Sequence, residues 1–206
     1  IAYTERSFIG VYKAAGIPTT RIANQDAEKP YVYFINEADR VIRSNQTKTV
    51  YNFDKWLDAD ILPHYNNILK ENHKQQLIVI HTIGSHWWYN SHYSDEHEIF
   101  KPTMRSRIVS NCDSMEIVNS YDNTVIYTDF IISEIIKPLQ NKNAIMIYLS
   151  DHGEALGENN LWLHASESEI MHHTAAMIWM SKKYIELYPN KYEALLLNKT
   201  QKHKTD

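Results

Sequence analysis

Three apolar runs of strand length restrict how this chain can fold more than any other feature of its sequence. They cover residues 76–82, 144–150 and 175–180, and none shows a regular alternation of polar and apolar residues. Such strands are typical of a sheet that is covered on both faces, as in parallel sheets flanked by helices. We therefore expect the three runs to be neighbouring central strands of one sheet.

Stretches with helical spacing of apolar residues separate these strands. The predicted helices cover residues 7–16, 60–73, 113–137 and 181–199. Ser7 is the predicted N-cap of the first helix, Pro63 fits the first turn of the second, and Pro189 is expected to divide the last. A further strand is predicted at 18–23. Residues 24–48 are predicted to be mostly loop, with a short hairpin around 31–35. The alternation of helices and strands indicates an α/β fold with a mainly parallel sheet flanked by helices.

Composition excludes several classes of protein. The net charge is −4 and no basic stripe is present, which argues against a nucleic-acid partner. The apolar runs are far shorter than the roughly 18 residues that a membrane span requires. Cys112 is the only cysteine, so an intramolecular disulfide is excluded and a structural thiol is expected. Because the chain begins with Ile1 rather than Met, we expect it to be a fragment of a longer protein.

Imidazole and carboxylate side chains follow the predicted strands. In an open parallel sheet, ligands bind at the carboxyl ends of the strands, so residues at these ends are candidates for a site. Nitrogen and oxygen ligands of this kind suit zinc or another divalent ion. The pattern favours a metal-assisted hydrolase or transferase. Two alternatives stay open: each histidine is a hydrogen-bonded structural residue, or the aspartate caps a turn. The candidates are His81, His86, Asp151, His152, His164 and His173.

Other polar clusters are predicted to have no catalytic part. His92, Asp95, Glu96 and His97 lie in a polar loop and are expected to be solvated. His172 is expected at the surface or behind the site. In the long helix, residues 121–123 are expected to pack and hydrogen-bond against the sheet.

Five segments, in chain order, carry a recognisable pattern. They are Ile22-Ala-Asn-Gln25, His81-Thr-Ile-Gly-Ser-His86, residues 119–129, Ser150-Asp-His-Gly-Glu-Ala-Leu-Gly-Glu-Asn159 with Leu163-His164, and His173 with residues 175–181. In the same order, they resemble five segments of the phosphoethanolamine transferases, which belong to the sulfatase and alkaline-phosphatase superfamily. Those segments are ISNQ, HTxGSH, NxYDNTxxYTD, SDHGESLGEN with YLHG, and HVPMxxWxS. The resemblance implies that superfamily's α/β fold for residues 1–206, as part of a catalytic domain.

The resemblance also implies an activity. Members are Gram-negative inner-membrane proteins with a periplasmic catalytic domain, and they transfer phosphoethanolamine from phosphatidylethanolamine to lipid A or to core sugars of lipopolysaccharide. A threonine forms the phosphoethanolamine intermediate, and Zn2+ activates its hydroxyl. Asp151 and His152 would be zinc ligands. His86 and His164 would hold phosphate oxygens or protonate the leaving oxygen, with His81 and His173 as secondary substrate-binding residues.

The resemblance places the nucleophilic threonine, a glutamate ligand and the membrane spans upstream of Ile1. We therefore expect the 206 residues to be inactive by themselves. The chain departs from the family pattern at three points: Ala155 replaces the serine of DHGES, and the family's LHG and HVP are Leu-His-Ala and His-Thr-Ala here. Two rival functions remain: another phosphatase, sulfatase or phosphoglycerol transferase of the superfamily, or a non-catalytic sulfatase-like domain that binds a partner.

Overall fold

The computed structural model of the protein describes residues 7–25, 35–45, 54–164 and 168–199. The chain divides into two compact units, Ile1–Ile132 and Ser133–Asp206. In the described residues, the first unit contains α1 (Phe8–Ala14), β1 (Thr19–Ala23), β2 (Arg40–Arg43), α2 (Leu62–Ile68), β3 (Leu77–His81) and most of α3 (Ser114–Ile136). The second contains β4 (Ile145–Leu149), β5 (Ala155–Leu156), β6 (Trp162–Leu163), β7 (Ala176–Met180), α4 (Lys182–Leu187) and α5 (Pro189–Asn198).

A parallel three-stranded sheet with the order β2-β1-β3 forms the centre of the first unit. Ile22 of the middle strand lies opposite Ile42 on one side and Ile80 on the other. Every residue of β1 is buried, as expected for a central strand whose two neighbours and two faces are all covered. The predicted α/β class with a parallel sheet is confirmed.

The helices of the first unit follow their predicted starts. Ser7 caps α1 as predicted, because its Oγ accepts a hydrogen bond from the backbone N–H of Gly10 at 3.4 Å. Pro63 lies in the first turn of α2, also as predicted, but this helix ends at Ile68 rather than at residue 73. Tyr65 and Ile68 are its buried residues, and residues 70–73, which are all polar, offer no apolar face with which to extend it.

The long helix α3 agrees with its predicted bounds to within one residue at each end. Its buried positions include Ile117, Thr124, Tyr127 and Ile131, which are separated by seven, three and four residues. This spacing places all four on one side of an α-helix, which is the side that packs.

Two predictions for residues 24–48 have different outcomes. The prediction that these residues are mostly loop is wrong at β2. This strand was not predicted because only Val41 and Ile42 are apolar in it and an arginine stands at each end. The hairpin predicted around 31–35 falls mainly on residues outside the described ranges.

The second unit contains two antiparallel pairs in its described part. Strands β4 and β7 pair with Ile147 opposite Ile178, and β5 pairs with β6. The prediction that β4 and β7 are neighbours is therefore confirmed, although the two strands run antiparallel. The predicted place of β3 beside them is not found, because β3 belongs to the three-stranded sheet of the first unit. The prediction of burial on both faces is also wrong for β4, in which Ile147 and Leu149 are each 68% exposed. The helix break at Pro189 is confirmed.

A buried carboxylate fixes the turn that follows β3. Asp58 Oδ1 accepts hydrogen bonds from Asn24 Nδ2 and from the backbone N–H of Ile83, both at 2.8 Å, and Oδ2 accepts from the N–H of Gly84 at 2.9 Å. Burial raises the pKa of Asp58, whereas these three hydrogen bonds oppose the rise. Gly84 has a φ of +56°, a conformation that glycine adopts without steric cost.

His92, which was predicted to be solvated, is buried. Its Nδ1 donates to the backbone carbonyl of Trp56 at 3.0 Å, and its ring meets that of His86 edge-on at 6.2 Å between centroids. Burial is the main cause that lowers the pKa of His92 to about 4. Asp95 and Glu96 are exposed as predicted, whereas His97 is half-buried and packs against Tyr127 and Phe130.

We predict that Asp58→Ala lowers the free energy of unfolding by about 3 kcal/mol, because it leaves buried N–H donors without an acceptor. Asp58→Asn is the matched control. It keeps the shape of the side chain and one acceptor oxygen, so its free energy of unfolding should fall by less. Urea titration followed by circular dichroism measures both. Equal stability of the alanine variant and the parent would contradict the role assigned to this carboxylate.

We also predict that His92 makes the first unit sensitive to acid. Its pKa is about 4 when folded and about 6.5 when unfolded, so only the unfolded chain gains the proton as the pH falls between these values. Stability from this group is complete above pH 6.5 and falls by roughly 3 kcal/mol towards pH 4. His92→Asn can keep a donor to the Trp56 carbonyl but has no group that titrates in this range. Its melting temperature, measured as a function of pH, should therefore fall less steeply between pH 6.5 and pH 4 than that of the parent. An unchanged slope would contradict the prediction.

Candidate functional site

A tight hairpin in the second unit carries the densest group of candidate residues. In the β5–β6 pair, Ala155 lies opposite Leu163. The turn is closed by the N–H of Gly157, which donates to the Leu161 carbonyl at 2.9 Å. Gly157 has a φ of +113°, and a Cβ at this position would lie 3.0 Å from the ring of Trp162. The turn therefore requires glycine, and its register determines which residues flank the hairpin.

Glu154 and His164 flank this hairpin on opposite strands. Glu154 Oε2 lies 3.1 Å from His164 Nδ1, and the side chains are 5% and 34% exposed respectively. The hydrogen bond from Glu154 is the main cause that raises the pKa of His164 above its ordinary value, and partial burial opposes it. The ring therefore has an increased affinity for a proton.

His152 stacks beside His164. Their ring centroids are 4.6 Å apart with planes inclined at 34°, and His152 Nδ1 donates to the carbonyl of Gly153 at 2.7 Å. Asp151 is exposed, and its Oδ1 lies 3.9 Å from His152 Nε2. Zinc bonds to nitrogen and oxygen are about 2.0–2.2 Å long, so one ion can span these two atoms.

The donors available here suit zinc chemically. In the part of the chain that the structure describes, the group formed by His152, Glu154 and His164 has one ligand atom from each residue within 4.8 Å of the others. Two imidazoles and a carboxylate are a known zinc-binding combination. The site thus offers two sets of donors that share His152: one with Asp151, the other with Glu154 and His164.

Gly153 joins this site to the turn that precedes β7. Its N–H donates to the Met171 carbonyl at 2.8 Å. A Cβ on Gly153 would lie 2.1 Å from the carbonyl oxygen of Ile170 and 3.0 Å from that of His173. The backbone of His173 is therefore beside the site, although this residue is exposed. His172 is exposed, as predicted.

The other two candidates, His81 and His86, belong to the first unit. His81 ends β3, and its Nδ1 lies 2.6 Å from Arg21 NH2, so it accepts a hydrogen bond from the guanidinium. His86 lies beyond the turn that Asp58 holds, with its Nδ1 2.5 Å from the Trp87 carbonyl. Ser85, next to it, is hydrogen-bonded to Thr124 of α3 at 2.6 Å.

Residues without a predicted catalytic part behave as packing groups. Asn123 is buried. Its Oδ1 accepts hydrogen bonds from the N–H groups of Ile99 and Phe100, both at 2.9 Å, so it binds the loop before α3 rather than the sheet. The thiol of Cys112 lies 3.3 Å from the Ser106 carbonyl, in agreement with a structural role.

Glu154 is the residue that sequence reasoning missed. It stands inside the quoted DHGE segment but received no role. The signal that could have found it is the hairpin, because Gly157 and two asparagines between apolar residues indicate a turn. A turn centred there places residue 154 opposite residue 164.

The family model described as Sulfatase matches residues 1–201. Phosphoethanolamine transferase EptA of Salmonella typhimurium is 39% identical over 121 residues, which is 54% of this chain and 22% of that protein. The corresponding protein of Escherichia coli K12 is 33% identical over 145 residues, 66% of this chain and 26% of that protein. The matched region is thus only about a quarter of the length of these relatives.

Solved structures of phosphoethanolamine transferases also resemble this chain. The soluble domain of lipooligosaccharide phosphoethanolamine transferase A from Neisseria meningitidis superposes with a TM-score of 0.79 at 28% identity, covering 94% of this chain and 60% of that one. The C-terminal periplasmic domain of EcEptC from Escherichia coli, a complex with Zn, gives 0.77 at 23% identity over 91% of this chain and 55% of that one. The second likeness concerns the fold alone. Among the described residues, no helix is both long and apolar enough to cross a membrane.

We predict that Gly153→Ala destabilises the second unit, because the added methyl group would overlap the carbonyl of Ile170. A loss of about 1–3 kcal/mol is expected, as for other overpacked positions. Gly16→Ala provides a control: it also changes a glycine, but one whose Cβ would meet no atom within 4 Å. Because Gly16 has a φ of +74°, the control should still lose a little stability. Thermal melts that show equal losses would contradict the predicted overlap.

Proposed function

The chain belongs to the sulfatase family, and from this premise we propose that it is part of a zinc-dependent phosphoethanolamine transferase. The observation that carries the proposal is the stacking of His152 on His164, with the carboxylate of Asp151 beside them. This arrangement combines groups that can hold a metal with an imidazole that can contact phosphate.

The proposed reaction transfers phosphoethanolamine from phosphatidylethanolamine to lipid A or to core sugars of lipopolysaccharide. In the first half, a threonine hydroxyl attacks phosphorus, the bond to the diacylglycerol oxygen breaks, and that oxygen takes a proton. In the second half, an acceptor oxygen attacks the same phosphorus, the bond between phosphorus and the threonine oxygen breaks, and that oxygen takes up a proton, which restores the hydroxyl. The relatives' names support the phosphoethanolamine group as the part transferred. The threonine is not assigned to any residue of this chain.

Asp151 and His152 are the proposed zinc ligands. Bound zinc supplies a Lewis acid that polarises phosphate oxygens and lowers the pKa of a hydroxyl group. The zinc complex of the periplasmic EcEptC domain supports this choice of metal. The donor types support it too, because a carboxylate oxygen and an imidazole nitrogen are common zinc ligands.

His164 is proposed to contact the phosphate. Its raised pKa increases the fraction of rings that carry a positive charge, and a charged imidazole donates strong hydrogen bonds to phosphate oxygens. The same proton can pass to the leaving oxygen. The resemblance also implies phosphate contact for His86 and substrate binding for His81 and His173, and we propose these roles for each residue by itself.

The proposed location is the periplasmic side of a Gram-negative inner membrane, where the donor phospholipid and the lipopolysaccharide acceptor are both present. The solved relatives support it, since EcEptC is represented by a periplasmic domain and EptA of Neisseria meningitidis is an integral membrane protein.

The test uses the whole parent polypeptide in which these residues occur, incubated with phosphatidylethanolamine and lipid A. We predict that His152→Ala lowers the transfer rate at least about 100-fold, because removal of a ligand weakens the metal site. His172→Ala, a change of a nearby exposed histidine, should leave the rate unchanged. Mass spectrometry should detect phosphoethanolamine on the protein and on the acceptor. Hydrolysis of phosphate or sulfate monoesters without any transfer would instead identify another activity of the family.

A further inference from the structure

We propose that Glu154 is a positioning residue for His164: its carboxylate accepts the Nδ1–H and holds the ring so that Nε2 is the nitrogen presented to the substrate. The contact of His164 with phosphate rests on the proposed function, whereas the hydrogen bond and the orientation of the ring do not.

Backbone register produces this pairing. Ala155 lies opposite Leu163 in the β5–β6 pair, so the next residues outward, Glu154 and His164, are also opposite each other. Side chains on directly opposite positions of antiparallel strands have Cβ atoms about 4.5–5.5 Å apart, which is within reach of a carboxylate and an imidazole. The observed separation of 3.1 Å between Oε2 and Nδ1 is a hydrogen-bond distance.

Burial makes Glu154 suitable for holding a ring. Its side chain is only 5% exposed, so water competes little for its oxygens. A carboxylate is costly to bury unless donors satisfy it, and the Nδ1–H of His164 is such a donor. His164 is 34% exposed and thus keeps access to a ligand. A covered carboxylate behind a partly exposed imidazole is the usual means of fixing the orientation and tautomer of a functional histidine.

Leu163 shows that the backbone next to the ring is also constrained. It has a φ of +65°, which is unfavourable for a residue with a branched side chain. Such conformations persist only where surrounding contacts impose them. Here the surrounding contacts include the β5–β6 hydrogen bonds on one side of Leu163 and the pairing of His164 with Glu154 on the other.

The alternative role for Glu154 is that of a metal ligand with His152 and His164, whose donor atoms are close enough. The hydrogen bond argues against a cation held between Glu154 and His164 Nδ1. One imidazole nitrogen cannot donate a proton to Glu154 and bind a cation at the same time, so with Nδ1 facing the carboxylate only Nε2 of His164 could bind a metal. The two roles predict different effects on zinc content, so both can be tested together.

The kinetic test compares Glu154→Ala, Glu154→Gln and His164→Ala in the whole parent polypeptide. Loss of the acceptor in Glu154→Ala should lower kcat about 10–100-fold, as for other partners that orient a functional residue. KM should change little, because the ring would still be present. Glu154→Gln keeps an acceptor oxygen and should restore most of the rate. Glu169→Ala, which removes an exposed carboxylate of the same unit, is the control and should have no effect.

A double-mutant cycle gives the decisive comparison. If Glu154 acts through His164, then Glu154→Ala should have no further effect once His164 is alanine. Zinc content, measured by mass spectrometry of the metal, should be equal in all variants. A further loss of rate in the double variant, or a loss of zinc in Glu154→Ala alone, would overturn the proposal in favour of a ligand role.

A readout without activity separates this inference from the proposed function. In protein labelled with nitrogen-15 at histidine, the ring signals of His164, assigned by their loss in His164→Ala, should show the Nδ1–H form at alkaline pH. Glu154→Ala should shift them towards the Nε2–H form, and Glu154→Gln should not. Unchanged signals in Glu154→Ala would overturn the positioning role. The expected shift in a protein that transfers no phosphoethanolamine would support it while refuting the proposed function.

Discussion

The hydrogen bonds of the buried Asp58 carboxylate are the interactions on which the turn after β3, next to the candidate residue His86, depends. They tie a loop residue, Asn24, to the N–H groups of Ile83 and Gly84, where the chain leaves β3. Without an acceptor at this point, two backbone donors would be buried and unsatisfied, and no hydrogen bond from Asp58 would stabilise the observed conformation of the turn. His86 follows two residues later, so its position is set by a carboxylate distant from it in sequence.

The second unit applies the same physical constraint in another way. Glu154 is covered by the protein, and its charge is compensated by His164 across a hairpin. In both units a carboxylate that water cannot reach must find a donor, and the donor is thereby held in place. A covered acidic residue can in this way determine the position of the groups that donate to it.

The elements could be predicted well, and their partners poorly. The stripe of α3 and the apolar run of β3 depend on local periodicity, so they were located to within a residue or two. The pairing of β4 with β7 depends on which strand edges meet. An apolar run in the sequence does not indicate which strand will pair with it or whether the pair will be parallel or antiparallel. β2 was missed because only two apolar residues lie between its arginines.

For the candidate site, the sequence by itself determined the residue types: the histidines at the strand ends, the Asp-His-Gly-Glu segment and its spacing from His164. Only the tertiary structure decided their environments. It buried His92, which polar neighbours had suggested was solvated, because burial depends on what packs over a loop from elsewhere in the chain. It also stacked His152 on His164 and placed Glu154 behind that ring. The physical reason is that a hydrogen bond or a ring contact requires atoms within a few ångströms, and chain folding, not spacing along the sequence, sets that distance.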